Sequence, residues 1–344
     1  MRVVELATDD PAWKAALAGL EHDIYHLPGW TRASAVIDVG DPAAIFVEDG
    51  GSQVLIPIVV REVPDDSGHL DATSPYGYGS PTRSPDAPDA FVDEALQAAT
   101  DHLRSRGVIS WFIRLHPLLD PLWQPAIGTT VEHGETVSID LRSPEEEYRK
   151  QLRGSHRREI NRALREGVEV LHDTGLNDLG GFVDLYRLTM ERVGAGSYYF
   201  FPDDYFRELS SLGEHLQLWL ASYEGVVIAG AMIGVVPQTG IMQYHLSAAD
   251  PEHRSRFPTK LLLDRVRSWG AAEGLHRFHL GGGLGAEDDA LLRFKGGFSP
   301  DRHHFRTLRI RVAPALYEDA CSAQGQPAGD DNGFFPAYRI PPRT

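Results

Sequence analysis

One lysine in this sequence stands where an ammonium group could act in acyl transfer. Lys295 follows Phe294 and precedes two glycines, and it comes shortly after the glycines at positions 281–283. Glycines at a strand end can leave backbone N–H groups free to face a ligand. An ammonium beside them would stabilise the negative charge that develops on a carbonyl oxygen. A glycine-rich turn followed by a helix with a solvated lysine is the alternative interpretation.

A second group of candidate residues is a cluster of arginines. Arg157, Arg158, Arg162 and Arg165 lie in a helix predicted over 144–165, and positions 158, 162 and 165 share one helical face. Guanidinium groups on one face can bind phosphate oxygens in pairs. A solvated helix face is the alternative. Because this is the strongly basic stretch of an acidic chain, we predict a phosphate or RNA contact.

Aromatic side chains and a histidine form a third group. Tyr76 and Tyr78 alternate with glycines in a turn, and Tyr198 and Tyr199 begin a run of aromatic residues. His245 lies in a predicted strand and could titrate near neutral pH. These residues could line a binding cleft. Interface packing explains the first pair equally well, and core packing or a structural hydrogen bond explains the others.

The composition is that of an ordinary globular protein of 344 residues, with 42% hydrophobic and 24% charged residues. No apolar stretch approaches the ~20 residues of a membrane span, and the first residues lack a signal-peptide pattern. The single cysteine, Cys321, excludes an internal disulfide and a cysteine-cluster metal site. His303 and His304 would point to opposite faces of a strand, so we expect no metal site. These features predict a soluble, cytoplasmic protein, which we expect to be a monomer.

The charge is unevenly distributed along the chain. The formal net charge is −16, and acidic residues predominate over 1–148 whereas 149–312 is close to neutral. This shift supports a domain boundary near 141–144. A negative net charge works against broad nucleic-acid binding, whose affinity comes mostly from basic side chains that neutralise phosphates. A phosphate-bearing partner would therefore have to be bound locally.

Strand-like runs alternate with helical periodicity throughout, which predicts a mixed α/β (α+β) architecture. The two halves share one order of helices, a hairpin or meander, a long helix and a further strand. In the second half, a three-stranded meander, a helix, a glycine-ended strand and a short helix would position Lys295. Their predicted bounds are Leu216–Tyr223, Val226–Val236, Ile241–Ala248, Pro258–Glu273, Arg277–Leu280 and about Asp288–Gly296.

A resemblance to a known family extends over about residues 20–318. The segments that carry it are the turn 76–81, the basic helix running into Gly167-Val168-Glu169-Val170, Leu280-Gly281-Gly282, Asp289, Phe294-Lys295 and Phe298. They resemble the FemXAB family of aminoacyl-tRNA-dependent transferases. The Phe-Lys-x-x-Phe element after a glycine-ended strand is the most specific part.

The resemblance implies two tandem GNAT-like domains, each a mixed, mostly antiparallel sheet flanked by helices. The first, 1–143, would serve the acceptor side and be joined by the C-terminal segment 313–344. The second, 144–312, would carry the catalytic site in a cleft against the first. Lys295 with the Phe294 backbone would hold the carbonyl of an amino acid esterified to the 3′ end of a tRNA. An acceptor amine would then displace the tRNA.

The same resemblance implies the partners of the reaction. Aminoacyl-tRNA would be the co-substrate, held in part by the arginine cluster, and no cofactor would be bound. The acceptor would be an amine-bearing peptide or a peptidoglycan precursor. The residues expected to contact it are Arg32, Tyr76, Tyr78, His116, Tyr198, Tyr199, His245, Gly282 and Gly283.

Several of these positions depart from the family pattern. Arg32 stands near the place of a lysine that grips a nucleotide diphosphate, and 196–201 has aromatic residues in place of a second gripping arginine. His116 replaces an aspartate and His245 a tyrosine. The aromatic segment predicts a less charged acceptor. We therefore favour a peptide-like natural-product intermediate over a UDP-linked peptidoglycan precursor.

Two other functions remain open on the sequence. An acyl-CoA-dependent N-acyltransferase of the GNAT type would need an Arg/Gln-x-x-Gly-x-Gly/Ala loop whose amides bind pyrophosphate at a helix start. The corresponding segment, 254–259, lacks both glycines, and Pro258 has no N–H to donate. A non-catalytic binding protein on the same fold is the third possibility, which a degenerate segment around Lys295 would have favoured. That segment is intact.

Overall fold

The mixed α/β architecture predicted from the sequence is confirmed in both halves of the chain. The computed structural model describes residues 1–64, 68–283, 289–329 and 331–340. Two compact units divide the chain, one formed by Met1–His133 with His304–Thr344 and the other by Gly134–His303. In each unit, helices cover a mixed, mostly antiparallel sheet.

The first unit is built on a sheet in the order β1–β2–β3–β4–β6–β13, in which β4 and β6 are parallel, and β5 pairs with β3. The apolar face of α3 packs Leu96 and Leu103 into the core above this sheet. The strands are β1 (Arg2–Ala7), β2 (Asp41–Asp49), β3 (Ser52–Glu62), β4 (Leu70–Thr73), β5 (Thr82–Arg83), β6 (Val108–Leu115) and β13 (Arg302–Ile310), and the helices are α1 (Pro11–Leu17), α2 (Pro28–Asp38), α3 (Asp89–Ser105) and α10 (Pro314–Ala323).

The last described residues pack on the first unit. Tyr317 and Cys321 of α10 are buried together with Phe335 and Tyr338. The Tyr338 hydroxyl lies 2.6 Å from the Ser110 hydroxyl, and it donates to the Asp71 carboxylate at 3.1 Å. These contacts attach a glycine- and proline-rich segment to β4 and β6.

The second unit is built on a sheet in the order β7–β12–β11–β10–β9–β8, in which β11 and β12 are parallel. Alternating apolar residues bury one face of this sheet under α5, α8 and α9. On the other face, Phe182 of α6 fills the space beside Gly230 of β10. The strands are β7 (Thr129–Asp140), β8 (Glu169–Asp173), β9 (Leu216–Tyr223), β10 (Val226–Val236), β11 (Ile241–Ala249) and β12 (Arg277–Gly282), and the helices are α4 (Glu145–Gln151), α5 (Gly154–Arg165), α6 (Leu179–Val193), α7 (Asp203–Ser210), α8 (Pro258–Ala272) and α9 (Ala290–Lys295).

One predicted element differs from the structure. The helix predicted over 144–165 is two helices, because Leu152 and Arg153 adopt extended backbone between α4 and α5. The Arg153 N–H that a continuous helix would use internally donates to the Gly297 carbonyl at 2.9 Å. Periodicity cannot show this break, because the side-chain pattern continues through it. Asp288, the predicted start of α9, lies outside the described residues.

The prediction of no membrane span can be compared with the helices themselves. Over the described ranges, none of them combines the length and the apolarity that crossing a lipid bilayer requires.

Tyr338→Phe tests the attachment of the C-terminal segment. Removal of the hydroxyl deprives the buried Asp71 carboxylate of a donor and Ser110 of a partner, so we expect the free energy of unfolding to fall by about 2 kcal/mol. Urea denaturation monitored by tryptophan fluorescence measures the change. Phe334→Ala is the control, since this side chain is 56% exposed and its loss should change stability by less than about 0.5 kcal/mol. Equal effects of the two changes would contradict the proposed anchoring.

Candidate active site

The site begins where two parallel strands stop pairing. β11 and β12 are paired from Ile241–Arg277 to Gln243–His279, although β11 runs on to Ala249 and β12 to Gly282. A bulge between His279 and Gly281 shifts the register of β12 against β7. Gly281 has φ +75°, a conformation that favours glycine. The glycine sequence therefore ends the pairing and opens the sheet at this point.

Lys295 occupies the opening between the two strands. The Asp289 carboxylate caps α9 by accepting from the Leu292 N–H at 2.8 Å, which fixes the start of this short helix. From its last turn, the Lys295 ammonium donates to the Gly282 carbonyl at 2.7 Å and lies 5.8 Å from the centroid of the Tyr244 ring. The ammonium therefore contacts the end of β12 and lies near the Tyr244 ring of β11.

The surroundings of this ammonium are unusual for a lysine. The side chain is only 7% exposed, and burial lowers the pKa of Lys295 to about 8, an effect that the Asp289 charge partly opposes. Within the described part of the chain, no carboxylate forms an ion pair with it. An ammonium has three N–H donors, and the Gly282 carbonyl uses one of them. A mostly protonated group with spare donors is thus held in a site of low polarity, as stabilisation of an oxyanion requires.

A histidine that the sequence did not single out holds this helix in place. The buried His156 of α5 donates from Nε2 to the Phe294 carbonyl at 3.0 Å, and its ring packs 4.9 Å from that of Phe298. Burial, with the charge of Lys260 nearby, lowers the pKa of His156 to about 4, so the ring is neutral at physiological pH. Its spacing from Ile160 places it on the buried face of α5, a pattern that usually marks core packing.

Three of the four candidate phosphate-binding arginines meet at one open cavity of about 380 Å³. The cavity is lined by Arg158, Glu159, Asn161, Arg162, Arg165 and Phe257. The fourth, Arg157, does not line it and donates instead to the Arg149 carbonyl at 3.3 Å. Arg162 also donates to the Glu166 carboxylate at 2.6 Å, so the positive charge of Arg162 is partly neutralised.

The start of α8 offers few amides to a ligand. Pro258 has no N–H, and the Lys260 N–H donates to the Phe257 carbonyl at 3.2 Å. The first amides of a helix normally remain free and bind anions. Here only the amide of Thr259 among the first three helical residues is left for that purpose, so the start of α8 is poorly suited to bind a pyrophosphate.

The predicted acceptor residues of the second unit fall into two places. Gly282 is the last residue of β12, where its carbonyl accepts from Lys295, and Gly283 follows it. Tyr198 and Tyr199 pack edge to face at 5.8 Å in a 3₁₀ turn after α6. The His245 imidazole is hydrogen-bonded to the Tyr205 hydroxyl at 2.7 Å.

These aromatic residues form a neutral cluster. The Phe201 ring lies 6.5 Å from Tyr198 and 4.4 Å from Tyr205, and so connects the turn to His245. Burial lowers the pKa of His245 to about 3, which keeps its imidazole uncharged at neutral pH. The sequence could not indicate that Tyr205 bonds to His245, because the position of Tyr205 on α7 is typical of an ordinary amphipathic helix.

The predicted acceptor residues of the first unit lie in another aromatic cluster. Trp30 donates to the Tyr76 carbonyl at 2.7 Å, and the rings of Tyr78 and His116 are 5.9 Å apart. His116 is buried, donates from Nε2 to Asp23 at 2.8 Å and accepts at Nδ1 from two backbone amides. Both of its nitrogens are therefore committed to protein groups. Arg32 is half-buried on α2.

Comparison with known proteins places the second unit in a described fold. Residues 150–295 match the family model of the acetyltransferase (GNAT) domain. No curated protein sequence matches the chain. The match to the acetyltransferase domain indicates acyl transfer as the class of chemistry.

Solved structures with the same fold extend over nearly the whole chain. The crystal structure of FemX is 13% identical, with a TM-score of 0.67 over 92% of this chain and 99% of that one. L-PGS from Bacillus licheniformis is 17% identical, with a TM-score of 0.55 over 90% and 95%. The C-terminal domain of a putative lysylphosphatidylglycerol synthetase from Agrobacterium fabrum is 14% identical, with a TM-score of 0.53 over 84% and 91%. At these identities the likeness is one of fold, and the fold is the GNAT-like one that the sequence predicted.

Gly297→Ala tests the packing that positions Lys295. A Cβ at this position would lie 2.3 Å from Cε1 of the buried His156 ring, which cannot move away freely, so we expect the free energy of unfolding to fall by about 1–3 kcal/mol. Gly180→Ala in α6 is the matched control, because nothing lies within 4 Å of its Cβ position. An alanine there should leave stability unchanged or raise it by up to about 1 kcal/mol. Similar denaturation midpoints for the two variants would contradict this packing.

The stability of the protein should report the buried ammonium directly. The pKa of Lys295 is about 8 in the folded protein and 10.5 in an unperturbed lysine. The unfolded chain therefore binds more protons between these pH values, and the free energy of unfolding rises with pH across that window. We expect the difference between wild type and Lys295→Met to shift in favour of wild type by up to about 3 kcal/mol between pH 8 and 10.5. Urea denaturation at a series of pH values would detect this, and a constant difference would mean that the ammonium is solvated.

Proposed function

We propose that this protein is an aminoacyl-tRNA-dependent aminoacyltransferase, which forms an amide bond between the amino acid of a charged tRNA and an amine of a peptide-like acceptor. The observation that carries this proposal is the Lys295 ammonium, buried at the opened end of the sheet and bonded to the Gly282 carbonyl. The acetyltransferase-domain match over 150–295 supports acyl transfer as the reaction class.

The reaction is the displacement of an ester by an amine. The acceptor nitrogen attacks the ester carbonyl, its C–N bond forms, and the carbonyl oxygen becomes an oxyanion. The spare N–H donors of Lys295 stabilise that oxyanion. Because negative charge grows on the oxygen, its hydrogen bonds to Lys295 are stronger in the transition state than in the ground state. The C–O bond to the tRNA then breaks, and a proton lost by the amine ends on the 3′-hydroxyl that leaves.

Two features favour an RNA ester over an acyl-CoA thioester as the donor. The start of α8 has few free amides, which argues against a pyrophosphate cradle at that position. Arginines 158, 162 and 165 line a cavity on the neighbouring α5, where RNA phosphates could be bound. The name of one solved relative, a putative lysylphosphatidylglycerol synthetase, also refers to an aminoacylated product.

The acceptor that we propose is weakly charged. The cluster of Tyr198, Tyr199 and His245 is aromatic, and the low pKa of His245 leaves it without positive charge. A diphosphate would find no cationic partner in that cluster. We therefore propose an amine-bearing peptide, such as a natural-product intermediate, ahead of a UDP-linked peptidoglycan precursor.

Transfer of a radiolabelled amino acid from charged tRNA to candidate peptide amines tests the proposed function. We expect ribonuclease to abolish transfer, and Lys295→Ala to reduce kcat by about 10²–10³-fold because it removes an oxyanion donor. Lys14→Ala, an exposed lysine of the first unit, should have no effect. Ribonuclease-resistant transfer that needs a CoA thioester would establish the acyl-CoA alternative. Efficient transfer to a UDP-linked pentapeptide would overturn the acceptor preference alone.

A further inference from the structure

A strained phenylalanine forms one wall of the arginine cavity. Phe257 immediately precedes α8 and has φ +55°. This is the left-handed backbone conformation, which residues other than glycine, asparagine and aspartate rarely adopt. Its ring is not buried in the core, and it lines the cavity together with Arg158, Arg162 and Arg165. Strain of this kind persists where the surrounding structure holds a side chain in a particular place. Here it places an aromatic ring at the wall of an open cavity.

The cations around this ring differ in how far their charges are neutralised. The Arg162 guanidinium lies 5.5 Å from the ring centroid and is bonded to Glu166, and the Lys260 ammonium lies 5.7 Å away and is paired with Glu159. Arg158 and Arg165 have no carboxylate within ion-pair distance among the residues that the structure describes. The cavity therefore combines one aromatic ring with two guanidinium groups available to an anion.

The cavity also lies close to the helix that carries Lys295. The Lys260 ammonium that lies beside Phe257 is 5.9 Å from the centroid of the Phe294 ring, and Phe294 directly precedes Lys295. His156, on the same helix as the arginines, bonds to the Phe294 carbonyl. A ligand seated on Phe257 would thus lie one side chain away from the helix that carries Lys295.

We infer that this cavity binds an unpaired nucleotide near the 3′ end of the RNA donor, with its base stacked on Phe257 and its phosphate held by Arg158 and Arg165. The inference rests on the proposed function and assigns one subsite of it. Single-stranded RNA is commonly bound by an aromatic side chain that stacks a base beside cations that hold the backbone. A paired base would have its faces covered by its neighbours in the helix, so the site selects an unpaired end.

Fluorescence anisotropy with a short labelled oligoribonucleotide, single-stranded or annealed into a blunt duplex, tests this subsite. Phe257→Leu keeps an apolar side chain but removes the aromatic face, and we expect single-strand affinity to fall about tenfold. Phe257→Tyr keeps the face and should stay within about threefold of wild type. Duplex affinity should change little in either variant. Equal single-strand affinity for wild type and Phe257→Leu would overturn the inference.

Phe257→Gly separates binding from folding. Glycine adopts φ +55° without strain, so this variant should remain folded by circular dichroism and urea denaturation while its single-strand affinity falls at least as far as that of Phe257→Leu. A variant that keeps full affinity would show that the ring is not the contact.

Further measurements distinguish this inference from the function on which it rests. Coenzyme A, which also carries a base and phosphates, is added as a competitor. Displacement of the oligoribonucleotide by CoA at lower concentrations than by unlabelled oligoribonucleotide would reassign the cavity to CoA and overturn the inference. Ribonuclease-sensitive transfer with an unchanged KM for charged tRNA in Phe257→Leu would overturn the subsite and leave the function standing. A raised KM with unchanged kcat supports both.

Discussion

The structure depends on keeping one ammonium charge out of water, with no carboxylate of the described residues in contact with it. Removing a charged group from solvent costs free energy, and proteins usually recover that cost with a carboxylate partner. Lys295 has instead a backbone carbonyl at a strand end and an aromatic ring nearby. A carboxylate in contact would neutralise the field that an oxyanion needs. The glycine-ended strand, the capped helix and the neutral His156 all serve to hold the ammonium in this arrangement.

The two faces of the basic helix α5 make different contacts. Its buried face presents His156 to the Phe294 carbonyl, whereas its exposed face presents the arginines to the cavity. The break before α5 is part of this arrangement, because the Arg153 N–H that it frees bonds to Gly297. Under the proposed function, a displacement of α5 by bound RNA would act on both sides of Lys295, through His156 on Phe294 and through Arg153 on Gly297. RNA binding and the positioning of Lys295 would then depend on one helix.

The sequence predicted the fold class and the residues with the most distinctive chemistry. Lys295, the glycines before it and the arginine face could be found because each combines a residue type with a spacing. His156 and Phe257 could not be found in this way. A histidine on an apolar helix face is typical of core packing, and no sequence pattern indicates a positive φ at a phenylalanine. The break at Leu152 cannot be predicted, because helical periodicity continues across it. Contacts between residues distant in sequence decide these features.

The lowered pKa of Lys295 has a chemical consequence beyond its role as a donor. With a pKa of about 8, about a tenth of the side chains are free amines at pH 7, far more than for a solvated lysine. A free amine beside an activated ester is itself an acceptor, and attack by it would leave the protein blocked by its own donor. The hydrogen bond to the Gly282 carbonyl disfavours that outcome, because an ammonium is a stronger donor than a neutral amine and the bond therefore favours the protonated form. In the proposed reaction, the strand end would thus limit self-acylation of the lysine.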